Sequence, residues 1–137
     1  MRAASAVAVA ALVWAAAATA SPPRPVELEL VSLTVRVSAA AGARYEIDRL
    51  YDGRSFARGR PTVVGSDRTV VRGRSVRVDA AVPGGTITAS GPLTVRGGIG
   101  HVPVVSGTGR YRGARGELLI WNVPNSGGYA ENVYRLR

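Results

Sequence analysis

The fold of this chain is decided by the stretch Gly107-Thr108-Gly109-Arg110-Tyr111-Arg112-Gly113-Ala114-Arg115-Gly116. Glycine at this density costs backbone entropy, so it is worth having only where φ must be positive or where another backbone comes close. The apolar residues 102–105 lead directly into the stretch, and residues 117–121 continue from it as a second apolar segment. The sequence therefore predicts a glycine-rich corner between two β-strands.

Apolar and polar residues alternate along most of the chain, which is typical of strands with one buried face. No segment keeps a helical period for longer than about one turn. Eight strands form a closed barrel whose interior just holds side chains or one small ligand. We therefore predict an all-β fold, a single antiparallel eight-stranded barrel over residues 26–137. The predicted strands are residues 26–37, 45–50, 63–71, 75–80, 86–89, 101–105, 117–123 and 129–136.

Two details of the first half of the chain carry separate predictions. In the first strand the apolar positions shift from Val26, Leu28 and Leu30 to Val31 and Leu33. A shift of phase inside one strand is what a β-bulge produces, so we predict a bulge near residue 31. Residues 52–59 are polar and rich in Gly, Arg and Ser, and they predict a loop.

The first 20 residues predict a secretory signal peptide that is cleaved after Ala20. Arg2 supplies a positive start, residues 3–18 are almost entirely apolar, and Ala18-Thr19-Ala20 has the small-x-small form that signal peptidase accepts. A transmembrane anchor is the weaker alternative because the apolar segment is shorter than the roughly 20 residues of a span. We expect a secreted, extracellular protein, with residues 21–25 as a proline-rich leader.

The 137-residue chain is strongly basic, since 18 basic residues, all of them arginine, face 9 acidic residues and give a net charge of +9. The arginines are scattered, and aromatic residues make up only 6% of the chain. With neither a basic run nor an aromatic platform, we expect no nucleic-acid partner. A scattered basic surface is compatible with anionic cell-surface polymers as partners. The absence of cysteine excludes a disulfide framework.

The glycine-rich corner resembles the signature turn of the dirigent and allene oxide cyclase family of small β-barrels. Two further blocks support the resemblance: Gly84-Gly85-Thr86-Ile87-Thr88, with Gly91-Pro92 after it, and the closing segment Glu131-Asn132-Val133-Tyr134-Arg135-Leu136. The signature positions in this sequence are Gly107, Thr108, Gly109, Tyr111, Gly113, Arg115 and Gly116.

The resemblance implies a bacterial secreted barrel that binds a small apolar or aromatic molecule and guides its cyclisation or coupling. It also implies that no cofactor is needed, and that any activity is of the isomerase/cyclase or dirigent type. Barrels of this family commonly form a homodimer or homotrimer. The alternative is a non-catalytic secreted barrel that binds a small ligand or serves at the cell surface. An open lumen with convergent polar groups would favour the first interpretation, and a lumen plugged by apolar side chains would favour the second.

The sequence names two weak catalytic candidates, His101 and Asp48. His101 is the sole histidine and could act as a general acid or base near neutral pH. Asp48, like Glu46 and Asp79, lies inside a predicted strand, where an acid either faces the lumen with a raised pKa or points outward to an arginine. The outward orientation is the more common one. One histidine without ligand spacing predicts no metal site.

Three aromatic residues and one arginine complete the candidates. Tyr45, Trp121 and Tyr134 lie in predicted strands and are candidates to line the lumen and contact a ligand. Strand tyrosines are also common as ordinary core residues. Arg115 belongs to the signature turn, and we expect its guanidinium to bond carbonyl oxygens across the corner.

Overall fold

The structure, a computed structural model, describes residues 25–123 and 128–137. The predicted signal peptide, residues 1–20, and residues 21–24 of the predicted leader lie outside the described residues. Within the described part of the chain, no helix is long and apolar enough to cross a membrane.

Alternating sequence becomes strand throughout the described residues, and eight of the strands close into an antiparallel barrel. The ring runs β5-β4-β3-β2-β1-β9-β8-β7, and β7 closes it by pairing with β5. The short β6 pairs with the other half of β7, so β5 and β6 together act as one interrupted strand. The predicted fold is confirmed. The strands are β1 (Val26–Ala40), β2 (Ala43–Asp52), β3 (Val63–Arg72), β4 (Ser75–Val82), β5 (Gly85–Pro92), β6 (Thr94–Arg96), β7 (Ile99–Gly107), β8 (Gly116–Asn122) and β9 (Tyr129–Leu136).

The predicted bulge in β1 exists, but its position was wrong. The register between β1 and β2 is continuous through Val31 and shifts only between Thr34 and Arg36. The change of apolar phase at Val31 is therefore not caused by a bulge. It arises because the next lumen positions, Ser32 and Thr34, are polar. Val31 lies on the outer face and is nevertheless buried. The phase shift in the sequence therefore marks the point where the lumen becomes polar.

The predicted loop at residues 52–59 contains a one-turn helix, α1 (Gly53–Ala57). The Asp52 carboxylate starts it by accepting a hydrogen bond from the Ser55 amide at 3.1 Å, as an N-cap residue does. The helix carries Phe56 onto the outer wall, where its ring lies 4.8 Å from the Tyr129 ring and 6.1 Å from the Tyr51 ring. A polar sequence forms a helix here because the cap and this aromatic cluster hold it.

One half of the lumen is filled by apolar side chains. They come from strands all around the ring, because successive residues of a strand point to opposite faces and every second one is apolar here. The largest fully buried members are Leu50, Val78, Ile87, Val102, Leu118 and Tyr134. We call this half the closed end.

The glycine-rich corner seals the closed end against the hairpin between β4 and β5. The Tyr111 ring is buried in the core, and its hydroxyl donates to the Pro83 carbonyl oxygen at 3.0 Å. The Arg110 amide donates to the Gly84 carbonyl oxygen at 2.9 Å. At Gly109 φ is +60°, and a Cβ there would collide with the same Gly84 oxygen. Glycine is required at this position by both the backbone conformation and the close approach.

Candidate functional site

The other half of the lumen, which we call the open end, holds a cavity of about 710 Å³. Its wall is built mainly by β1, β2, β3, β8 and β9, whose lumen positions here carry polar side chains. The polar residues that line it are Ser32, Thr34, Arg44, Glu46, Asp48, Asp67, Thr69, Asn122 and Asn132. The cavity is also lined by Val78 and Leu118, which belong to the apolar cluster of the closed end, and by Ile120, which packs against that cluster.

Asp48 and Asp67 form the centre of this site. They lie directly opposite each other on β2 and β3, and only 6% and 3% of their surfaces are exposed. Burial raises the pKa of Asp67 to about 8, with further contributions from the charge of Asp48 and a hydrogen bond between the two carboxyl groups. The Thr69 hydroxyl donates to Asp67 Oδ1 at 3.4 Å, and this hydrogen bond lowers the pKa of Asp67 and so offsets part of the rise. At neutral pH Asp67 is therefore mostly a neutral acid.

Four buried polar atoms at this site have no hydrogen-bond donor or acceptor from the rest of the described chain. They are Asp48 Oδ1, Asp67 Oδ2, Asn132 Oδ1 and the Tyr134 hydroxyl oxygen. Leaving a buried polar group unpaired costs about 1–3 kcal/mol. Burial, followed by the charges of Asp67 and Asp48, raises the pKa of Tyr134 well above its usual range, so its hydroxyl stays protonated. These atoms could be satisfied by a bound molecule.

An ion pair marks the mouth of the cavity. Arg44 Nη2 lies 2.6 Å from Glu46 Oε1, and the Arg44 side chain is 61% exposed. Burial raises the pKa of Glu46 despite the charge of Arg44, and the nearby Asp48 adds to the rise. Carboxyl groups thus continue from the mouth to the Asp48–Asp67 pair.

The structure places one of the three predicted lumen aromatics in the lumen. Tyr134 is fully buried there, between the two ends. Tyr45 and Trp121 lie on the outer face, because the cavity-lining residues beside them in sequence, Glu46 and Asn122, take the inward positions. The Tyr45 hydroxyl accepts a hydrogen bond from Arg72 at 3.0 Å. Trp121 borders an outer groove of about 330 Å³ instead.

The two catalytic candidates are separated by the barrel wall. Asp48 faces the lumen, whereas His101 lies on the outer face between the inward Gly100 and Val102. There His101 Nδ1 pairs with Glu117 Oε2 at 3.0 Å. The expected outward orientation holds for Asp79, whose carboxylate pairs with Arg77 at 2.8 Å. It does not hold for Asp48 or Glu46, which line the cavity. His101 and Asp48 therefore cannot act on one molecule.

The signature turn contributes structure at the closed end. Arg115 Nη1 donates to the carbonyl oxygen of the adjacent Ala114 at 2.8 Å, and the Arg115 backbone pairs with Arg137. The hydroxyls of Thr108 and Thr86 lie 2.7 Å apart. These hydrogen bonds hold the corner in place at the closed end. In the described part of the chain no three His, Cys, Asp or Glu side chains are placed to hold a metal ion.

Sequence reasoning missed Asp67 and Asn132. The available signal was alternation: Asp67 shares a face of β3 with Thr69, and Asn132 shares a face of β9 with Tyr134. Alternation shows which side chains share a face of a strand, but it does not show which residue of the neighbouring strand lies opposite. The pairing of Asp67 with Asp48 depends on the register between β2 and β3.

Comparison with known proteins shows the fold. No protein-family model and no curated protein matches the sequence. Solved structures do match. One is AbnU, an exo-specific intermolecular Diels-Alderase, with TM-score 0.61, 21% identity, and coverage of 82% of this chain and 96% of that one. A pyocyanin demethylase has TM-score 0.57 and 19% identity, and the match covers 80% of this chain and all of that one.

A third solved structure is a pterocarpan synthase dirigent protein. It has TM-score 0.57 and 16% identity, and the match covers 82% of this chain and 83% of that one. The fold is therefore that of the dirigent and allene oxide cyclase-like barrels, as the glycine-rich corner predicted. At these identities the similarity concerns the backbone, and the chemistry of the lumen has to be read from this chain's own residues.

Proposed function

We propose that this protein is an exported barrel that binds a small organic molecule in the open end of its lumen and guides its cyclisation or coupling without a cofactor. The observation that carries the proposal is the Asp48–Asp67 pair, buried together in the wall of a cavity of about 710 Å³. That volume lies within the range of small-molecule sites, about 300–1,000 Å³, and the polar groups converge on it.

The pair supplies a proton donor and a proton acceptor at one place. As a bond forms, the Asp48 carboxylate takes a proton from the substrate, and the Asp67 carboxylic acid gives its proton to the substrate atom that gains electron density. A proton then passes from Asp48 to Asp67, which lies directly opposite it on the paired strand, and this restores the starting state. General acid–base assistance of this kind contributes typically about 10²–10⁴-fold to a rate.

The barrel wall supplies orientation. Val78, Leu118 and Ile120 form an apolar floor beneath the acids, so a small molecule can place its carbon skeleton there with its polar atoms at the pair. Holding one reactive conformer converts a flexible substrate into a nearly preorganised one. The solved structures that share this fold are named for three different reactions. This supports a catalytic role for a barrel of this fold but does not indicate which reaction this chain would catalyse.

The alternative is a non-catalytic barrel that binds a small ligand. The closed end favours it, because apolar side chains fill that half of the lumen and leave no room for a large apolar substrate. In that case the acids would bind the ligand's polar atoms and would transfer no proton.

Mass spectrometry of small molecules from the producing organism's culture medium tests the proposal. We expect the wild-type protein to convert one compound into a product of equal mass, as cyclisation requires, or of joined mass, as coupling requires. Asp67→Asn should slow the conversion by about 10²-fold or more. Asp79→Asn is the matched control, because Asp79 lies outside the lumen and pairs with Arg77, and it should behave as wild type.

Two results would count against this proposal. A small molecule that co-purifies in native mass spectra but is returned unchanged would establish the binding alternative. Conversion that proceeds equally well in the Asp67→Asn variant would remove the acid pair from the mechanism.

A further inference from the structure

Most of the unpaired polar atoms at the open end are acceptors that lack a hydrogen-bond donor. Asp48 Oδ1 and Asn132 Oδ1 are acceptors, and Asp67 Oδ2 becomes one as soon as its carboxyl loses its proton. All three residues are at least nine-tenths buried and line the same cavity. A ligand that brought only acceptors would leave these atoms unpaired, whereas a ligand with several N–H donors would satisfy them.

The charge inside the cavity is opposite to that of the whole chain. The chain carries a net charge of +9, yet the lumen holds the carboxyl groups of Glu46, Asp48 and Asp67. The one basic residue that borders the cavity among the described residues is Arg44, which is exposed at the mouth and already paired with Glu46. The charged neighbours that act on Asp67 are Asp48 and Glu46, both acidic, so a bound cation would be stabilised beside it.

We infer that the small molecule bound in the open end carries a protonated amine, whose N–H groups donate to Asp48, Asp67 and Asn132 while its carbon skeleton lies on Val78, Leu118 and Ile120. The inference rests on the proposed function, because it assigns the substrate class of the same lumen site. It narrows the ligand from any small apolar or aromatic molecule to one with an ammonium group at one end.

An inorganic cation fits the site less well than an ammonium group does. The cavity of about 710 Å³ is much larger than a coordination sphere, and no metal-binding cluster of three His, Cys, Asp or Glu side chains exists among residues 25–123 and 128–137. The mixed lining, with acceptors on one wall and apolar side chains on the floor, matches a molecule with one charged and one apolar end.

Binding of an ammonium group should release a proton. Asp67 is mostly protonated at neutral pH, and a cation beside it favours the carboxylate. The other titratable or charged groups near it are Asp48 and Glu46 from β2, Tyr134 from β9 and Arg44 at the mouth, while β4 contributes the apolar Val78 and Ala80. The affinity should therefore rise as the pH rises from about 6 to about 8, by at most about tenfold for each pH unit.

Three probes of matched size test the inference: 2-phenylethylammonium, 2-phenylethanol and 3-phenylpropanoate. In titrations of the wild-type protein followed by NMR at pH 7.5, we expect the ammonium probe to bind at least tenfold more tightly than the alcohol. The carboxylate should show no binding at the open end. Asp67→Asn should reduce the preference for the ammonium over the alcohol to about threefold or less, and Asp79→Asn should keep it unchanged. Asp48→Asn, whose folding is checked by circular dichroism, should reduce the preference for the ammonium over the alcohol to the same extent.

The possible failures are distinguishable. If the alcohol binds as tightly as the ammonium probe, or the carboxylate binds best, the inferred charge is wrong while a small-molecule site in the lumen still stands. If no probe binds at millimolar concentration but the protein converts a compound from the culture medium, the inference fails and the proposed function survives. If Ca²⁺ displaces the ammonium probe, the site is for a metal ion and the inference is overturned.

Discussion

The closed and open ends of this barrel share several strands and differ in what the inward positions of those strands carry. Along β9, Leu136 points into the closed end, Tyr134 lies between the two ends, and Asn132 points into the open end. Along β1, Leu28 and Leu30 give way to Ser32 and Thr34 in the same manner. Along these stretches of β1 and β9 the register is continuous, so the division of the lumen follows from the side chains at the inward positions.

The two ends have opposite energetic roles. Apolar burial at the closed end stabilises the barrel by about 25 cal/mol for each Å² removed from water. The open end buries two carboxyl groups and two further unpaired polar atoms, which opposes folding. The closed end therefore supplies the stability on which the chemistry of the open end depends. Substitutions at the two ends should have effects of opposite sign.

The largest expected effect lies at the closed end, at Gly109. Gly109→Ala must accept a positive φ, and its Cβ collides with the Gly84 carbonyl oxygen, so we expect a loss of about 3 kcal/mol or more in the free energy of unfolding. Urea unfolding followed by circular dichroism measures it. Gly113→Ala is the matched control: φ is +76°, but nothing lies within 4 Å of its Cβ, so the loss should stay near 1 kcal/mol. Equal losses in the two variants would show that the corner does not pack on the hairpin.

A stabilising effect is expected at the open end. The pKa of Asp67 is about 8 in the folded protein and near 3.8 when unperturbed, so the folded state holds a proton that the unfolded chain releases. The stabilising contribution is complete below about pH 4 and is lost as the pH rises through about 8. Asp67→Asn removes this dependence and should stabilise the protein at pH 9 by on the order of 2 kcal/mol.

Thermal unfolding of the Asp67→Asn variant at about pH 5 and pH 9 gives the comparison directly. Asp79→Asn serves as the control, because the pKa of Asp79 is lowered in the folded protein whereas that of Asp67 is raised. Burial alone would raise the pKa of Asp79, but hydrogen bonds from Arg77 and Thr88 outweigh it and lower the pKa. Since the Asp79 side chain is 41% exposed, its loss should destabilise by less than about 1 kcal/mol at neutral pH. A destabilised Asp67→Asn variant at pH 9 would contradict the assignment of roles to the two ends.

A smaller effect is expected where one hydrogen bond closes the corner. Tyr111→Phe keeps the buried ring and removes the hydroxyl that donates to the Pro83 carbonyl oxygen. We expect a loss of about 1 kcal/mol in the free energy of unfolding and no change in ligand binding. Unfolding in urea and the NMR titration with 2-phenylethylammonium measure the two quantities. Weaker binding of the probe by this variant would mean that the two ends are coupled.

The smallest effect is expected outside the lumen. His101→Gln removes an outer-face pair with Glu117 that lies across the barrel wall from the acids. The change in stability should stay within about 0.5 kcal/mol, and any conversion of small molecules should proceed at the wild-type rate. A lower rate of conversion in the His101→Gln variant would return this residue to the candidate site.

The closed end could be predicted from the sequence because its signals are local. Glycines that need positive φ and residues that alternate apolar with polar report on their own backbone. The stretch from Gly107 to Gly116 therefore indicated the corner, the strand pair around it and the family of folds.

The open end could not be predicted in the same way, because it is defined by register. Asp48 and Asp67 are neighbours only because β2 and β3 pair with these two residues opposite each other. A shift of one residue would turn one of them to the outer face. The polar lumen is visible in the sequence as the shift of apolar phase at Val31. Without the register, that shift predicts a bulge instead. Tyr45 and Trp121 were assigned to the lumen because their residue type suited it, whereas alternation with Glu46 and Asn122 decides their actual face.

The titration of Asp67 tests the account most directly. In wild-type protein labelled with ¹³C at the aspartate side-chain carboxyl carbons, NMR spectra collected between about pH 4 and pH 10 should show one aspartate signal that titrates near pH 8 and is missing from the Asp67→Asn variant. Titration of every aspartate below about pH 5 would mean that the carboxyl pair is not held together in a dry lumen, and it would contradict the open end as described.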